Sequence, residues 1–254
     1  MKFSLAHDSR KGGRPYNQDR LGTDRTPEAL LMALADGMGG YAGGELAAQA
    51  AIECAAGAFR AEARPRLADP EAFLLRVMNR AHLAIVEKGI REGLGESPRT
   101  TLVACVVQAG YAYWSFIGDS RLYLIREGRV AARTRDHSMV QQLVDAGRIR
   151  EEAVAAHPER NKLLRCLGGQ SLPRPEAPAS ARLARGDTLL LCSDGLWGPL
   201  SPRRLLGEFI GVKPADALPR AMALAESYGG QDCDNISALA MQWQEEAVLD
   251  LVVC

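Results

Sequence analysis

The chain has 254 residues, 47% of them apolar, which is enough to bury an extensive core in one large domain or two small ones. Lys+Arg and Asp+Glu both number 31, so no net field points to nucleic acid or an anionic membrane as the partner, and any anion recognition must come from local charge. The amino terminus turns polar too early for a signal peptide, and no apolar run approaches the ~20 residues of a spanning helix, so a cytoplasmic protein acting as a monomer is expected. Six scattered cysteines without CxxC spacing read as reduced, buried thiols.

In chain order, residues 30–35 form an apolar run that stops at Asp36-Gly37-Met38-Gly39-Gly40, the pattern of a buried strand ending in a glycine-rich turn. Residues 45–63 and 70–91 have helical apolar spacing, the second after a Pro/Asp start. Residues 101–107 and 111–117 read as a hairpin, and 122–125 with 130–134 as another around a Glu-Gly turn, which implies antiparallel sheet. Helix is expected over 138–146. The stretch 148–182 mixes charge, prolines and Gly168-Gly169, the composition of an irregular flap, taken as about 147–182. Residues 183–192 read as a strand running into Ser193-Asp194-Gly195, helices begin near 203 and 215, and 236–243 closes with a strand. No repeat or low-complexity linker divides 1–254, so one domain is expected.

Aspartates recur where apolar strands end or begin: Asp19, Asp36, Asp119, Asp194 and Asp234. An Asp beside Gly is also ordinary turn chemistry, but five such turns at strand ends are more than turns require. Converging carboxylates repel in a partly buried site, and a hard divalent cation is the natural neutraliser. With no His/Cys set at ligand spacing, oxygen donors favour magnesium or manganese over zinc. Glycine at position 37 lets a backbone carbonyl approach such an ion.

Six motifs in order, Arg14-x-x-Asn17-Gln18-Asp19, Asp36-Gly37-Met38-Gly39-Gly40, Gly118-Asp119-Ser120-Arg121, Asp136-His137-Ser138, Ser193-Asp194-Gly195-Leu196-Trp197 and Asp234-Asn235-Ile236, resemble the bacterial branch of the PP2C (PPM) family from residue 3 to 243. The resemblance implies an α+β fold, a four-layer α/β/β/α sandwich of two antiparallel sheets flanked by helices, with a metal centre at one edge. It implies a protein serine/threonine phosphatase that attacks phosphorus with a metal-bridging water, uses two Mn2+ or Mg2+ ions and a possible third, and opposes a Ser/Thr kinase. By position, Asp36 bridges two ions, the Gly37 carbonyl binds one, Asp194 and Asp234 complete the pair, and Asp19 binds metal or holds metal-bound water. Asp119 with Asp194 makes a weaker extra site, and Arg14 clamps the phosphate. Arg14, Asp19 and Asp119 are thus the candidate catalytic residues beside the metal set. The alternative is a phosphatase-like binding module that has lost catalysis, but the metal aspartates and Arg14 are present.

Three positions depart from the family pattern. Met38 stands where some relatives place a general-acid histidine, leaving water on an ion held partly by Asp119 as the candidate acid. Gln18 replaces a frequent acidic residue, and Arg99 a frequent glycine before Thr100-Thr101. Of the competing signals, the C-x5-R spacing of Cys54 and Arg60 falls in an Ala-rich helical pattern, and Asp232-Cys233-Asp234 precedes a late strand instead of following an early one. His7, His82, His137 and His157 read as structural or solvent-exposed. The closing run 248–253 is expected to pack as an extra strand.

Overall fold

A computed structural model describes residues 1–38, 42–95 and 98–245. Gly39, Gly40, the run 248–253 and Cys254 lie outside the described residues. In chain order the elements are β1 (Phe3–Arg10), β2 (Arg20–Arg25), β3 (Ala29–Ala35), α1 (Gly44–Glu62), α2 (Pro70–Arg91), β4 (Arg99–Thr100), β5 (Leu102–Gln108), β6 (Tyr111–Ile117), β7 (Arg121–Arg126) and β8 (Arg129–Arg133). There follow α3 (Met139–Asp145), β9 (Leu167–Gly168), β10 (Ala179–Arg182), β11 (Thr188–Cys192), α4 (Asp194–Trp197), α5 (Pro202–Gly207), α6 (Pro214–Gly229) and β12 (Ile236–Trp243), with 3-10 turns at Glu151–Ala156 and Gly230–Asp232.

One sheet runs β1-β12-β11-β7-β8 and the other β10-β6-β5-β3-β2, every pairing antiparallel. The side-chain alternation of β3 shows how they stack. Ala29, Leu31, Ala33 and Ala35 pack with α1 and α2 residues such as Ala47, Ala51 and Phe73, whereas Leu30, Met32 and Leu34 meet Leu122, Leu189 and Met241 of the other sheet. On β12, Ala238 and Ala240 lie against Ala217, Ala221 and Ala225 of α6. Each sheet therefore turns one face to its helices and the other to the opposite sheet, which gives the four-layer α/β/β/α sandwich. With both faces covered, β3, β5 and β11 read as continuous apolar runs despite being antiparallel.

The helices at 45–63 and 70–91, the 111–117 and 122–134 hairpin strands and the strand at 236–243 are found within a residue or two of the expected ends. Asp69 caps α2 by accepting the Ala72 amide, and Ser138 caps α3 through the Gln141 amide. Three expectations need correction. Strands β1 and β2 were not foreseen, because their half-buried patterns carry Asp, Arg and His and lack an apolar run. The strand expected over 183–192 begins only at Thr188: residues 184–187 form a turn, in which Asp187 accepts the Ala184 amide and a two-pronged pair from Arg126 at 2.9 and 2.6 Å. The flap is more ordered than its composition suggested, since β9 pairs with β4 and β10 joins the sheet beside β6.

Candidate metal centre

The registers bring the five strand-end aspartates to one end of the sandwich. Arg20 lies opposite Ala35, so Asp19 before β2 and Asp36 after β3 share an end. Cys192 lies opposite Ala238, which does the same for Asp194 after β11 and Asp234 before β12. Leu34 pairs with Val103 and Leu102 with Ile117, so β6 also finishes at this end, and residues 118–120 cross there from one sheet to the other, carrying Asp119. Arg10 pairs with Ile236, which sends the loop bearing Arg14 to the same place.

The loops are pinned by hydrogen bonds that place each carboxylate. The Asp36 amide donates to Thr101 Oγ1 (3.0 Å), and its carbonyl accepts from the Thr101 amide (2.9 Å) and Thr100 Oγ1 (2.8 Å). Gly37 has no room for a side chain, because a Cβ there would overlap the carbonyl oxygens of Gly44 and Gln18. The Asn235 side chain holds the Arg14 loop: its amide nitrogen donates to the carbonyls of Lys11 and Tyr16, both at 2.8 Å, and its oxygen accepts the Gln18 amide at 2.8 Å. Trp197 Nε1 donates to the Asp119 carbonyl (3.0 Å), and the Trp197 ring lies under the guanidinium of Arg121, itself paired with Asp136 at 2.9 and 2.7 Å. Arg99 takes part through its backbone, its carbonyl accepting the Met38 amide at 3.0 Å.

The electrostatics are those of carboxylates short of cations. Burial, followed by the charges of Asp19, Asp194, Asp119 and Asp234, holds the Asp36 carboxyl well above its ordinary range. Burial and Asp194 do the same to Asp119. Asp194 is pushed up to about 7, chiefly by burial and then by Asp234. Asp19 is pushed up to about 6 by burial, against the pull of hydrogen bonds from Ser237 and Ser193. Ser193 Oγ donates to Asp19 Oδ2 at 2.8 Å, but Asp19 Oδ1 is buried with no hydrogen-bond partner. An unpartnered, buried carboxylate oxygen is costly unless a cation meets it.

The short-range cation is Arg14, whose Nη2 donates to Asp234 Oδ2 at 2.7 Å; that bond, then the charges of Asp234, Asp194 and Asp36, raise its own pKa. Among the described residues no three acidic, His or Cys side chains stand ready-made around one point, as expected for five like charges offset only by Arg14 and, at Asp119, by Arg121. Oxygen donors in this surplus fit hard divalent ions.

A family model described as "Protein phosphatase 2C" matches residues 8–212. The chain belongs to the protein phosphatase 2C family. "Serine/threonine protein phosphatase PstP" of Mycobacterium tuberculosis is 39% identical over 206 residues, 80% of this chain but 39% of that protein, so this chain spans well under half of that relative. "Serine/threonine phosphatase stp" of Listeria innocua is 30% identical over 233 residues, covering 90% of this chain and 91% of that one. Among solved structures, the catalytic domain of PstP in complex with two manganese ions superposes with a TM-score of 0.82 at 32% identity, covering 96% of this chain and 99% of that one.

Within this phosphatase 2C chain the fold places all seven candidate residues, Arg14, Asp19, Asp36, Gly37, Asp119, Asp194 and Asp234, at one edge, but not all of their supports were legible in the sequence. Ser193 and Asn235 lie inside the Ser-Asp-Gly and Asp-Asn-Ile motifs, so their positions carry a signal in the sequence. Ser237 carried none: its amide reaches Ser193 Oγ (3.0 Å) and its hydroxyl Ser9 (2.7 Å) from far along the chain. The C-x5-R spacing of Cys54 and Arg60 forms no cysteine-phosphatase loop, because Cys54 lies within α1 and burial raises its thiol pKa, the reverse of an activated thiolate. Of the cysteines, Cys105, Cys192 and Cys233 are buried, whereas Cys54 and Cys166 are only half-buried, a correction to the expectation for all six.

Proposed function

We propose that this chain removes phosphate from phosphoserine and phosphothreonine in proteins, opposing a Ser/Thr kinase, as one phosphatase domain over 1–254. The observation that carries this reading is the set of buried, cation-deficient carboxylates at one edge, with Asp19 Oδ1 unpartnered and Arg14 beside them. Asp36, the Gly37 carbonyl, Asp194, Asp234 and Asp19 would hold two Mn2+ or Mg2+ ions, the number of manganese ions in the solved PstP catalytic domain, and Asp119 with Asp194 a third. Such ions supply Lewis acidity that activates water and offsets charge on the transferring phosphoryl group.

The protein's own part is to bind and orient. Arg14 uses Nη2 on Asp234, and its Nε and Nη1 donate to no other group among the described residues on a half-exposed side chain, so two nitrogens of the fork remain for phosphate oxygens. Met38 has no exchangeable proton, so the leaving alkoxide takes its proton from elsewhere, and Asp119 is the side chain placed to organise that donor. The free thiols fit a reducing compartment such as the cytoplasm, and among the described residues no helix is long and apolar enough to cross a membrane.

Hydrolysis of a phosphothreonine peptide is expected to require added Mn2+ or Mg2+ and to stop in EDTA; undiminished turnover in chelator would refute this reading. Arg14→Ala is expected to raise KM for the same peptide about tenfold or more with a smaller change in kcat, if its contact is alike in ground and transition states. Steady-state kinetics at saturating Mn2+ check it, and an unchanged KM would remove Arg14 from phosphate binding.

A further inference from the structure

Next to the carboxylate edge, between the 147–182 segment and β6, opens a cleft of about 1310 Å3. Its lining includes five arginines, Arg99, Arg133, Arg135, Arg165 and Arg174, against three acids, Asp136, Asp145 and Glu176. In a chain whose charges balance at 31 and 31, this concentrates a positive field in one place.

The ion pairs decide how much of that charge is available. Asp136 is taken by Arg121, Arg133 by Glu151 at 2.5 Å and Arg135 by Asp145 at 2.5 Å. Arg99, on β4, has an interaction of its own, which leaves the flap's own arginines, Arg165 and Arg174. Arg174 has no ion-pair partner among the described residues. Arg165 reaches Glu176 only at 3.5 Å, between side chains 44% and 51% exposed, so solvent screens the pair, and its other contacts, His137 Nε2 and the Arg174 carbonyl at 3.3 Å each, bring no negative charge. Leu172, 80% exposed, and Leu164, 41% exposed, add apolar surface to the same lining.

The cleft floor is joined to the carboxylate edge. The His137 amide donates to the Gly118 carbonyl (2.8 Å) and the Gly118 amide to His137 Nδ1 (3.2 Å), so the floor grips the turn that carries Asp119. On the other side, β4 pairs with β9 of the flap and is bridged to Gly37. A polypeptide with one residue at the carboxylate edge can therefore continue into the cleft.

We propose that this cleft is a docking site for an acidic stretch of the substrate polypeptide flanking the phosphorylated residue, read by Arg165 and Arg174 and seated on Leu164 and Leu172. The proposal rests on the phosphatase reading above and narrows its substrate class. Neither arginine belongs to the metal or phosphate machinery, so small substrates should not sense them.

The test compares kcat/KM for p-nitrophenyl phosphate and for phosphothreonine peptides with neutral flanks, acidic residues before, or acidic residues after the phosphothreonine. These are measured in wild type, Arg174→Glu and the Arg165→Gln/Arg174→Glu double variant. Wild type is expected to favour one acidic peptide over the neutral one by about three- to tenfold, falling toward parity between about 50 and 500 mM NaCl, as exposed, salt-screened ion pairs do. The variants should lose or invert that preference while keeping turnover of p-nitrophenyl phosphate and the neutral peptide. Equal rates on all peptides in wild type, or a preference that survives charge reversal, overturns the docking site. If a variant also loses p-nitrophenyl phosphate turnover, Arg174→Gln is used instead, and an unaltered preference there counts against the proposal equally. Failure of the phosphatase reading looks different: no substrate is turned over by wild type.

Discussion

Asp36→Asn and Asp194→Asn, made singly, are each expected to lower turnover of a phosphothreonine peptide by more than about 100-fold, because a lost carboxylate leaves the catalytic ions mispositioned. The same substitutions should raise the melting temperature of the metal-free protein. The reason lies in the electrostatics: both carboxyls are held above their ordinary range by burial and by neighbouring aspartates, so folding places them where ionisation is unfavourable. An asparagine keeps the shape and removes the repulsion, and each kcal/mol of relief is worth roughly 2–4 °C in a chain of this size. An aspartate serving only a turn behaves oppositely, since its replacement costs stability and leaves kinetics untouched. Thermal melts in EDTA and in saturating Mn2+, beside kcat, separate the two. Near-normal kcat, or a lower melting temperature without metal, would remove these residues from the centre.

The same contrast explains which parts of the molecule were legible in its sequence. Strands such as β3 and β11 carry apolar side chains on both faces because they lie between two other layers, so they announce themselves as unbroken runs. Strands β1 and β2 are half-buried at sheet edges, and β2, with Gly22 and Asp24, has no run to read. Short elements fared worst. The four residues of β10 are fixed by pairing with β6, and α4 by the turn after Ser193, so neither has a local period long enough to detect. Tertiary pairing decides such segments, and it is not encoded in a window.

At the site, side chains that end a strand were legible as acidic breaks in apolar runs, and their convergence follows from register. What could not be read was the pairing between them. Arg14 reads as a phosphate clamp, yet it also supplies the guanidinium that offsets Asp234. Asn235 reads as part of a motif, yet its work is to hold a loop more than 200 residues earlier in the chain by three hydrogen bonds. Asp119 owes its backbone position to Trp197, and that residue to the stacked Arg121. Each of these depends on which turns share an end of the sandwich, information that exists only after the sheets have formed.

Metal-free protein is expected to be less stable at pH 8 than at pH 5.5, and saturating Mn2+ to reverse that order. Asp194, pushed up to about 7, and Asp19, pushed up to about 6, start from an unfolded value of 3.8. A carboxyl whose folded pKa is raised binds its proton more tightly in the folded state. Its contribution is therefore fully present below the unfolded pKa and is lost as pH rises through the folded one. For these groups the loss spans about pH 4 to 7; between pH 5.5 and 8 it is carried chiefly by Asp194, on the order of 2 kcal/mol at 1.36 kcal/mol per pKa unit, with roughly 1 kcal/mol or less from Asp19. Opposing contributions from Glu45, Glu151 and Asp145, whose pKa values are lowered, are lost only as pH falls below the ordinary carboxylate range. His82 and His137, which burial holds below the ordinary 6.5, do oppose the trend as pH falls to 5.5, and the clustered aspartates are expected to outweigh these two. Cations that hold the carboxylates ionised compete with protons, so the rise in melting temperature on adding Mn2+ should be larger at pH 8 than at pH 5.5. Melts at both pH values, with EDTA and with Mn2+, measure this directly. A metal-free protein equally or more stable at pH 8 would mean that the aspartates at this edge are not in the strained, mutually repelling state from which the metal assignment is argued.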